Sequence, residues 1–393
     1  MEEESSTTPE VALRGVRAVD RRLKGSAADG EPDTLICFSH LRWAFVYQRP
    51  QHLMSRFARI MRVFFFEEPI FGDGVTPTLQ INVSESGVVI VVPRLPAHLE
   101  EADRIACQRD LLDQFCDERG ILRPILWYYT PMSGAFSAHL EPSRVVYDCM
   151  DELSAFRFAP PALLQQEQHL FGRADVVFTG GYSLYEAKRS RHPRVYAFPS
   201  SIDIAHFDKA RNGMPDPADQ AAIPRPRIGH YAVLDERLDT ALVLGIAEAR
   251  PNWHFILVGP VVKIDPGELP RRPNIHYLGS KRYDELPAYL AGWDLAMMPF
   301  ALNDATRFIS PTKTPEYLAA GKPVVSTPIA DVVRTYGDSG LVRIAGDPAS
   351  FVRAIEEIFS EADQRHLWLE KVDRILRQTS WDSTWAEMKA LIA

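Results

Sequence analysis

Two series of strand-length apolar runs, each alternating with helical segments, extend along this 393-residue chain. In the first series, apolar runs such as Leu35–Phe38 and Val63–Phe66 flank segments with helical spacing such as Gln51–Met61. A second series begins near Ile228 and ends in a C-terminal helix that starts near Thr384. Alternating strands and helices are typical of parallel βαβ units. The sequence therefore predicts an α/β protein with two Rossmann-like, doubly wound domains.

The alternation lapses once, where several prolines interrupt the pattern and large apolar residues become rare. We predict a first domain over 32–207, a linker over 208–226 and a second domain over 227–375. Residues 376–393 are predicted to form a helix that packs back on the first domain. Residues 1–31 are polar and are predicted to be a disordered segment. Two such domains place the carboxyl ends of their strands at a shared interdomain cleft, where ligands bind.

Charge and cysteine content exclude several classes of function. Lys and Arg number 44 and Asp and Glu 52, a net charge of −8, which lacks the basic footprint of a nucleic-acid-binding protein. No apolar run approaches the roughly 18 residues that a membrane span requires. The 4 cysteines form no CxxC pair, and the N-terminus does not resemble a secretory signal. We therefore predict a cytoplasmic protein without a disulfide framework.

The densest candidate site lies between Ser310 and Val325. A loop with Ser310, Thr312 and Lys313 precedes a helix that carries Glu316 and ends at Gly321. A helix N-terminus with a nearby lysine favours phosphate binding, and a carboxylate one turn later can accept two hydrogen bonds from a ribose. The alternative is that Ser310 or Thr312 only caps the helix and Glu316 belongs to a capping box.

This segment resembles the donor-site signature of the GT-B-fold glycosyltransferases, in particular glycosyltransferase family 4. The family motif is a Glu, seven residues, a second Glu, a helix of small residues and the sequence GKPVV. Glu316 and Gly321-Lys322-Pro323-Val324-Val325 match its second half, and Phe308 stands where the first Glu would be. The resemblance implies the GT-B fold and a nucleotide-sugar donor held by the second domain. It covers essentially all of the chain from Thr34 onward.

Further stretches agree with the family in order and spacing. Pro199-Ser200-Ser201-Ile202-Asp203 resembles a motif at the end of the first domain, with Ser-Ser in place of Asn-Gly. The resemblance places the nucleotide base against the backbone near Ser280 and the donor phosphates against Lys313 and Arg237. For Arg237, a salt bridge with neighbouring acids is the alternative.

A polar and aromatic segment follows the first strand. The residues from Trp43 to His52 resemble a segment of a bacterial subgroup linked to cell-surface polysaccharide synthesis, in which that loop helps to bind the acceptor. The predicted acceptor-binding residues are His40, Trp43 and Arg49, and for histidines beside apolar neighbours a structural role is the alternative.

Acidic residues follow the predicted strand Val145–Tyr147, again at an edge that faces the cleft. Glycosyl transfer needs either the acceptor hydroxyl deprotonated as it attacks, or a carboxylate or backbone group that stabilises an oxocarbenium-like centre. Asp151 is the first candidate for a base or an acceptor-orienting residue and Asp148 the second, with helix capping as the alternative for Asp151. GT-B donor sites usually neutralise the leaving diphosphate with basic side chains, so the resemblance implies no metal and no cofactor beyond the donor.

The sequence thus predicts a transferase that moves a hexose-type sugar from a nucleotide-diphosphate sugar to a saccharide or lipid-linked saccharide. A lipid-linked acceptor would bring the protein to the inner face of the membrane, although no basic amphipathic helix is evident. The alternatives are a nucleotide-sugar epimerase or phosphorylase of the same fold, and a non-catalytic sugar-binding scaffold of a polysaccharide-assembly complex.

Overall fold

A computed structural model describes residues 32–393, so the prediction for residues 1–31 lies outside the described residues. The first of its two sheets has the strand order β3-β5-β2-β1-β6-β7-β8-β9, with β4 paired to β5. All pairings are parallel except that between β4 and β5. The strands are β1 (Thr34–Phe38), β2 (Arg62–Phe66), β3 (Ile70–Gly72), β4 (Thr78–Val83), β5 (Val89–Pro96), β6 (Ile125–Tyr128), β7 (Arg144–Cys149), β8 (Val176–Thr179) and β9 (Val195–Ala197).

The second sheet is entirely parallel and has the order β12-β11-β10-β13-β14-β15. In both sheets the chain starts in the middle, adds strands on one side and then crosses to the other side, as doubly wound folds do. The strands are β10 (Arg227–Tyr231), β11 (His254–Val258), β12 (Ile275–Tyr277), β13 (Leu295–Met298), β14 (Val324–Ser326) and β15 (Val342–Ile344).

Helices cover both faces of the sheets. They are α1 (Arg49–Phe57), α2 (Glu101–Arg119), α3 (Gly134–Ser137), α4 (Leu163–Arg173), α5 (Tyr182–Lys188), α6 (Ile204–Phe207), α7 (Ala218–Ala221), α8 (Thr240–Ala249), α9 (Leu286–Ala291), α10 (Lys313–Ala319), α11 (Ala330–Val332), α12 (Pro348–Ser360), α13 (Arg365–Leu376) and α14 (Trp381–Ile392). Within residues 32–393, none of them is both long and apolar enough to cross a membrane.

The core consists of two hydrophobic layers on each sheet. In β1, Leu35 and Cys37 belong to one cluster and Ile36 and Phe38 to the cluster on the opposite face. Because both faces are buried, the strands need apolar residues at consecutive positions, which is why they are short apolar runs in the sequence. The predicted α/β architecture with two doubly wound sheets is confirmed.

Residues around the predicted linker form part of the second domain. Ile202 and Phe207 belong to a core cluster of the second sheet. Within the predicted linker, Gln220 is buried, where its side-chain oxygen accepts a hydrogen bond from Trp293 Nε1 at 2.8 Å. The low apolar content of this segment therefore reflects buried polar contacts. At the other end of the chain, α14 packs on α1, and Trp381 stacks on His52 with ring centroids 4.5 Å apart.

Candidate functional site in the interdomain cleft

A cavity of about 830 Å³ lies between the two sheets, at the carboxyl ends of their strands. Each sheet reverses its direction of winding there, between β1 and β6 and between β10 and β13. Ligands of open α/β sheets bind at such crevices. Most of the predicted site residues line this cavity: Trp43, Arg49, Asp151, Arg237, Ser280, Ser310, Thr312, Lys313 and Glu316.

Helix α10 places Lys313 and Glu316 at the floor of the cavity. Glu316 is only 5% exposed, and its Oε2 atom accepts a hydrogen bond of 2.5 Å from the hydroxyl of Tyr231. Lys313 Nζ lies 3.5 Å from the same carboxylate oxygen and donates to Thr312 Oγ1 at 2.9 Å. Burial raises the pKa of Glu316, and the charge of Lys313 opposes this shift. The Thr312 side chain does not cap the helix, contrary to the capping alternative.

Arg237 and Asp151 face each other across the cleft. The Arg237 guanidinium donates through Nε and Nη2 to the carboxylate of Asp235, at 2.9 and 2.7 Å, and still lines the cavity. Asp151 follows β7 in the first domain and is partly exposed. Burial raises the pKa of Asp151 to about 6, although the positive charge of Arg237 opposes the shift. A carboxylate with a pKa near neutrality at a cleft is suited to proton transfer.

Asp148 and Arg49 form an ion pair with each other, whereas the sequence predicted a catalytic role for Asp148 and acceptor binding for Arg49. Arg49 Nε and Nη2 donate to the Asp148 carboxylate at 3.0 and 2.8 Å, and Arg49 Nη1 donates to Phe198 O at 2.7 Å. The Arg49 and Asp148 side chains are 2% and 0% exposed. Because side chains alternate along β7, Asp148 faces the same buried layer as Val146, beneath α1. Neither charge is free to bind an acceptor or a proton in the cleft.

Of the remaining predicted site residues, His40 lies away from the cavity, whereas Trp43, Ser280 and Ser310 line it. His40 does not line the cavity, and its Nδ1 atom is buried with no hydrogen-bond partner among the described residues. Burial, assisted by the charge of Lys263, lowers the pKa of His40 to about 4, so the ring stays neutral. Trp43 lies edge-on to Phe65 with ring centroids 5.1 Å apart. Ser280 is exposed at the cavity, and Ser310 O accepts a hydrogen bond from Ser200 Oγ at 3.3 Å.

Three tyrosines of the cleft, Tyr47, Tyr231 and Tyr283, were not predicted as site residues. Tyr231 is the last residue of β10, directly at the point where the winding of the second sheet reverses. That position could have been recognised from the sequence, because residues at such strand ends face the ligand crevice. Phe308, by contrast, is half-buried against the core cluster of the first domain.

Comparisons with known proteins agree with this geometry. A family model described as "Glycosyl transferases group 1" matches residues 237–361. The putative teichuronic acid biosynthesis glycosyltransferase TuaH of Bacillus subtilis (strain 168) is 25% identical over 256 residues, or 61% of this chain. The match spans 64% of that protein's length, which is less than two thirds.

Solved structures resemble most of the chain. Sucrose-phosphate synthase from Thermosynechococcus elongatus has a TM-score of 0.66 at 14% identity, covering 92% of this chain and 98% of that one. Anabaena HepE, solved in complex with UDP and glucose, has a TM-score of 0.64 at 13% identity, covering 92% and 99%. The predicted GT-B fold is therefore confirmed, and residues 237–361 of its second domain match the model of the group 1 glycosyl transferases.

Proposed function

We propose that this protein is a glycosyltransferase that moves a hexose-type sugar from a nucleotide-diphosphate sugar to a saccharide or lipid-linked saccharide. One observation carries the proposal. Lys313, Glu316 and Arg237 of the second domain and Asp151 of the first domain line the same interdomain cavity of about 830 Å³. One site therefore contains basic groups that can bind a diphosphate, a carboxylate that can bind a ribose, and an acid with a raised pKa that can accept a proton.

The donor binds on the second-domain side of the cleft. Glu316 accepts hydrogen bonds from the ribose hydroxyls, and Ser280 lies beside the base. Lys313 and Arg237 bind the diphosphate, so its negative charge is neutralised by side chains, and we propose no metal or further cofactor. HepE was solved with UDP and glucose, and a starch synthase of similar fold was solved with ADP and acarbose, which supports a nucleoside-diphosphate product.

The acceptor binds on the first-domain side, near Trp43 and Asp151. The acceptor oxygen attacks the anomeric carbon, its proton passes to the Asp151 carboxylate, and the bond from that carbon to the diphosphate oxygen breaks. The electron pair of that bond leaves with the diphosphate, where Lys313 and Arg237 stabilise the developing charge. Most of the rate enhancement then comes from positioning and electrostatic stabilisation.

We also propose that the acceptor belongs to cell-surface polysaccharide synthesis, which the name of the Bacillus relative supports. The free cysteines Cys37, Cys107, Cys116 and Cys149 support a cytoplasmic location, because thiols persist in reducing compartments. A lipid-linked acceptor would bring the enzyme to the inner face of the membrane.

The test is a thermal-shift screen with UDP, ADP, GDP and dTDP and their sugars, followed by turnover measurements with the stabilising donor. We expect Lys313→Ala and Glu316→Ala each to reduce turnover by about 100-fold or more, because each removes a contact to the transition state. Lys371→Ala, which removes an exposed lysine outside the cavity lining, is the matched control and should retain full turnover. Wild-type kinetics in both cleft variants would contradict the proposed roles, and donor consumption without an acceptor would indicate an epimerase or hydrolase.

A further inference from the structure

The hydroxyl group of Tyr283 is buried at the cleft and has no hydrogen-bond partner among residues 32–393. Tyr283 belongs to the loop that follows β12, and its side chain lines the interdomain cavity. A buried hydroxyl without a partner is costly and uncommon in native proteins. Its presence at a ligand cavity indicates that the partner is a bound molecule.

Aromatic rings on both faces fix the position of this hydroxyl. His206 stacks on one face of the Tyr283 ring, with centroids 4.1 Å apart and an interplanar angle of 7°. Tyr47, from the loop after β1 in the first domain, stacks on it with centroids 4.6 Å apart at 28°. His206 is itself held by a hydrogen bond between its Nε2 atom and Tyr283 O, at 2.9 Å. The ring therefore cannot turn its hydroxyl toward another protein group without breaking these stacks.

The chemistry around the hydroxyl favours a neutral, hydroxyl-bearing partner. Burial and then the nearby charge of Glu316 raise the pKa of Tyr283, so its hydroxyl stays protonated. Tyr231 already donates to Glu316 Oε2, which leaves the other carboxylate oxygen for a ligand. A phosphate beside Glu316 would meet a like charge. A ribose instead offers two adjacent hydroxyls, each of which can donate to a carboxylate and also accept from a phenol.

We propose that Tyr283 is a second ribose-recognition residue, whose hydroxyl binds one hydroxyl of the donor ribose while Glu316 binds the other. This inference rests on the proposed function, since it requires a nucleotide in the cleft. Tyr47 belongs to the first domain, so the stack that holds Tyr283 forms only when the two domains approach each other. Recognition of the ribose is thereby linked to closure of the cleft.

The experiment compares each nucleoside diphosphate with an analogue that lacks the two ribose hydroxyls. Calorimetry measures the binding of UDP, of ADP and of the 2′,3′-dideoxy analogue of each to the wild type and to Tyr283→Phe. The variant removes a hydroxyl that has no protein partner, so its melting temperature should remain that of the wild type. Tyr289→Phe is the matched control, because its hydroxyl donates to Asp219 at 2.7 Å outside the cavity lining.

We expect Tyr283→Phe to weaken binding of the preferred nucleotide about three- to tenfold, the effect of one hydrogen bond. The variant and the wild type should bind the dideoxy analogue equally, and Tyr289→Phe should bind both nucleotides as the wild type does. An unchanged affinity for the ribonucleotide, or an equal loss with the dideoxy analogue, would overturn the inference and leave the proposed function intact. If the wild type binds no nucleoside diphosphate, the proposed function fails and the inference fails with it.

Discussion

Replacing Asp151 with asparagine should stabilise the protein while it abolishes most of its activity. The pKa of Asp151 is raised from 3.8 to about 6, mainly by burial. Between these two values the folded protein holds a proton at this site that the unfolded chain has released. The free energy of unfolding therefore falls as the pH rises through this window, and the full loss is present above pH 6.

The size of this loss follows from the rise in the pKa of Asp151. A rise from 3.8 to about 6 lowers the free energy of unfolding by about 3 kcal/mol at neutral pH. This figure is an upper limit, because the Asp151 side chain retains partial contact with the solvent of the cleft. Asparagine carries no charge, so the variant should recover part of this energy and resist urea better at pH 7.5 than the wild type.

Asp148→Asn is the matched control, three residues away at the end of β7. Its carboxylate pairs with the buried Arg49 guanidinium, which stays charged at all accessible pH values. Removing one partner of a buried ion pair typically costs about 3–5 kcal/mol. The same substitution should therefore destabilise the protein at position 148 and stabilise it at position 151.

Urea titrations of the two variants and the wild type at pH 7.5 and pH 5 measure both effects. The gain in Asp151→Asn should shrink at pH 5, where the wild-type carboxyl is mostly protonated. A loss of stability in Asp151→Asn at pH 7.5, or a gain that does not change between the two pH values, would refute the assigned environment of Asp151.

Two further predictions concern the cleft and the contact between the two domains. If Asp151 accepts the acceptor proton, kcat/KM should fall about tenfold for each pH unit below about 6, and a flat acid limb would rule out this role. Asp331 of the second domain accepts hydrogen bonds from the backbone N–H groups of Tyr182 and Ser183, each at 2.8 Å, and so caps α5 of the first domain. Asp331→Ala should lower the free energy of unfolding by about 0.5–2 kcal/mol, as measured by thermal denaturation, and Asp331→Asn should lower it less. Equal melting temperatures for the wild type and both variants would show that this interdomain cap contributes nothing.

The fold was largely predictable because buried parallel strands have a simple sequence pattern. Runs such as Leu35–Phe38 are apolar at consecutive positions because both of their faces are covered. The short edge strands β3, β4, β9 and β15 were not predicted. Much of β4 is exposed or half-buried, so it lacks the continuous apolar run that identifies a central strand.

The sequence predicted which residues lie at the cleft better than it predicted which side chains contact each other. The cleft brings together Lys313, Glu316, Arg237 and Asp151, because all of them follow or lie near strand ends at one edge of each sheet. The pairing of Arg49 with Asp148 joins residues 99 positions apart, and no local pattern indicates it. The Tyr47–Tyr283 stack depends on the relative position of the two domains, which local sequence does not encode.

Phe308 illustrates how one substitution changes the chemistry of the cleft. It occupies the place of the first Glu of the family motif, and the structure packs it against the core cluster of the first domain. An apolar ring there adds a contact between the domains in the place where the family motif has an acid. The acids that line the cavity are Glu85, Asp151, Glu285 and Glu316. Since Glu316 is hydrogen-bonded to Tyr231, Asp151 is the acid whose raised pKa and position opposite Arg237 best suit the proton transfer that we propose.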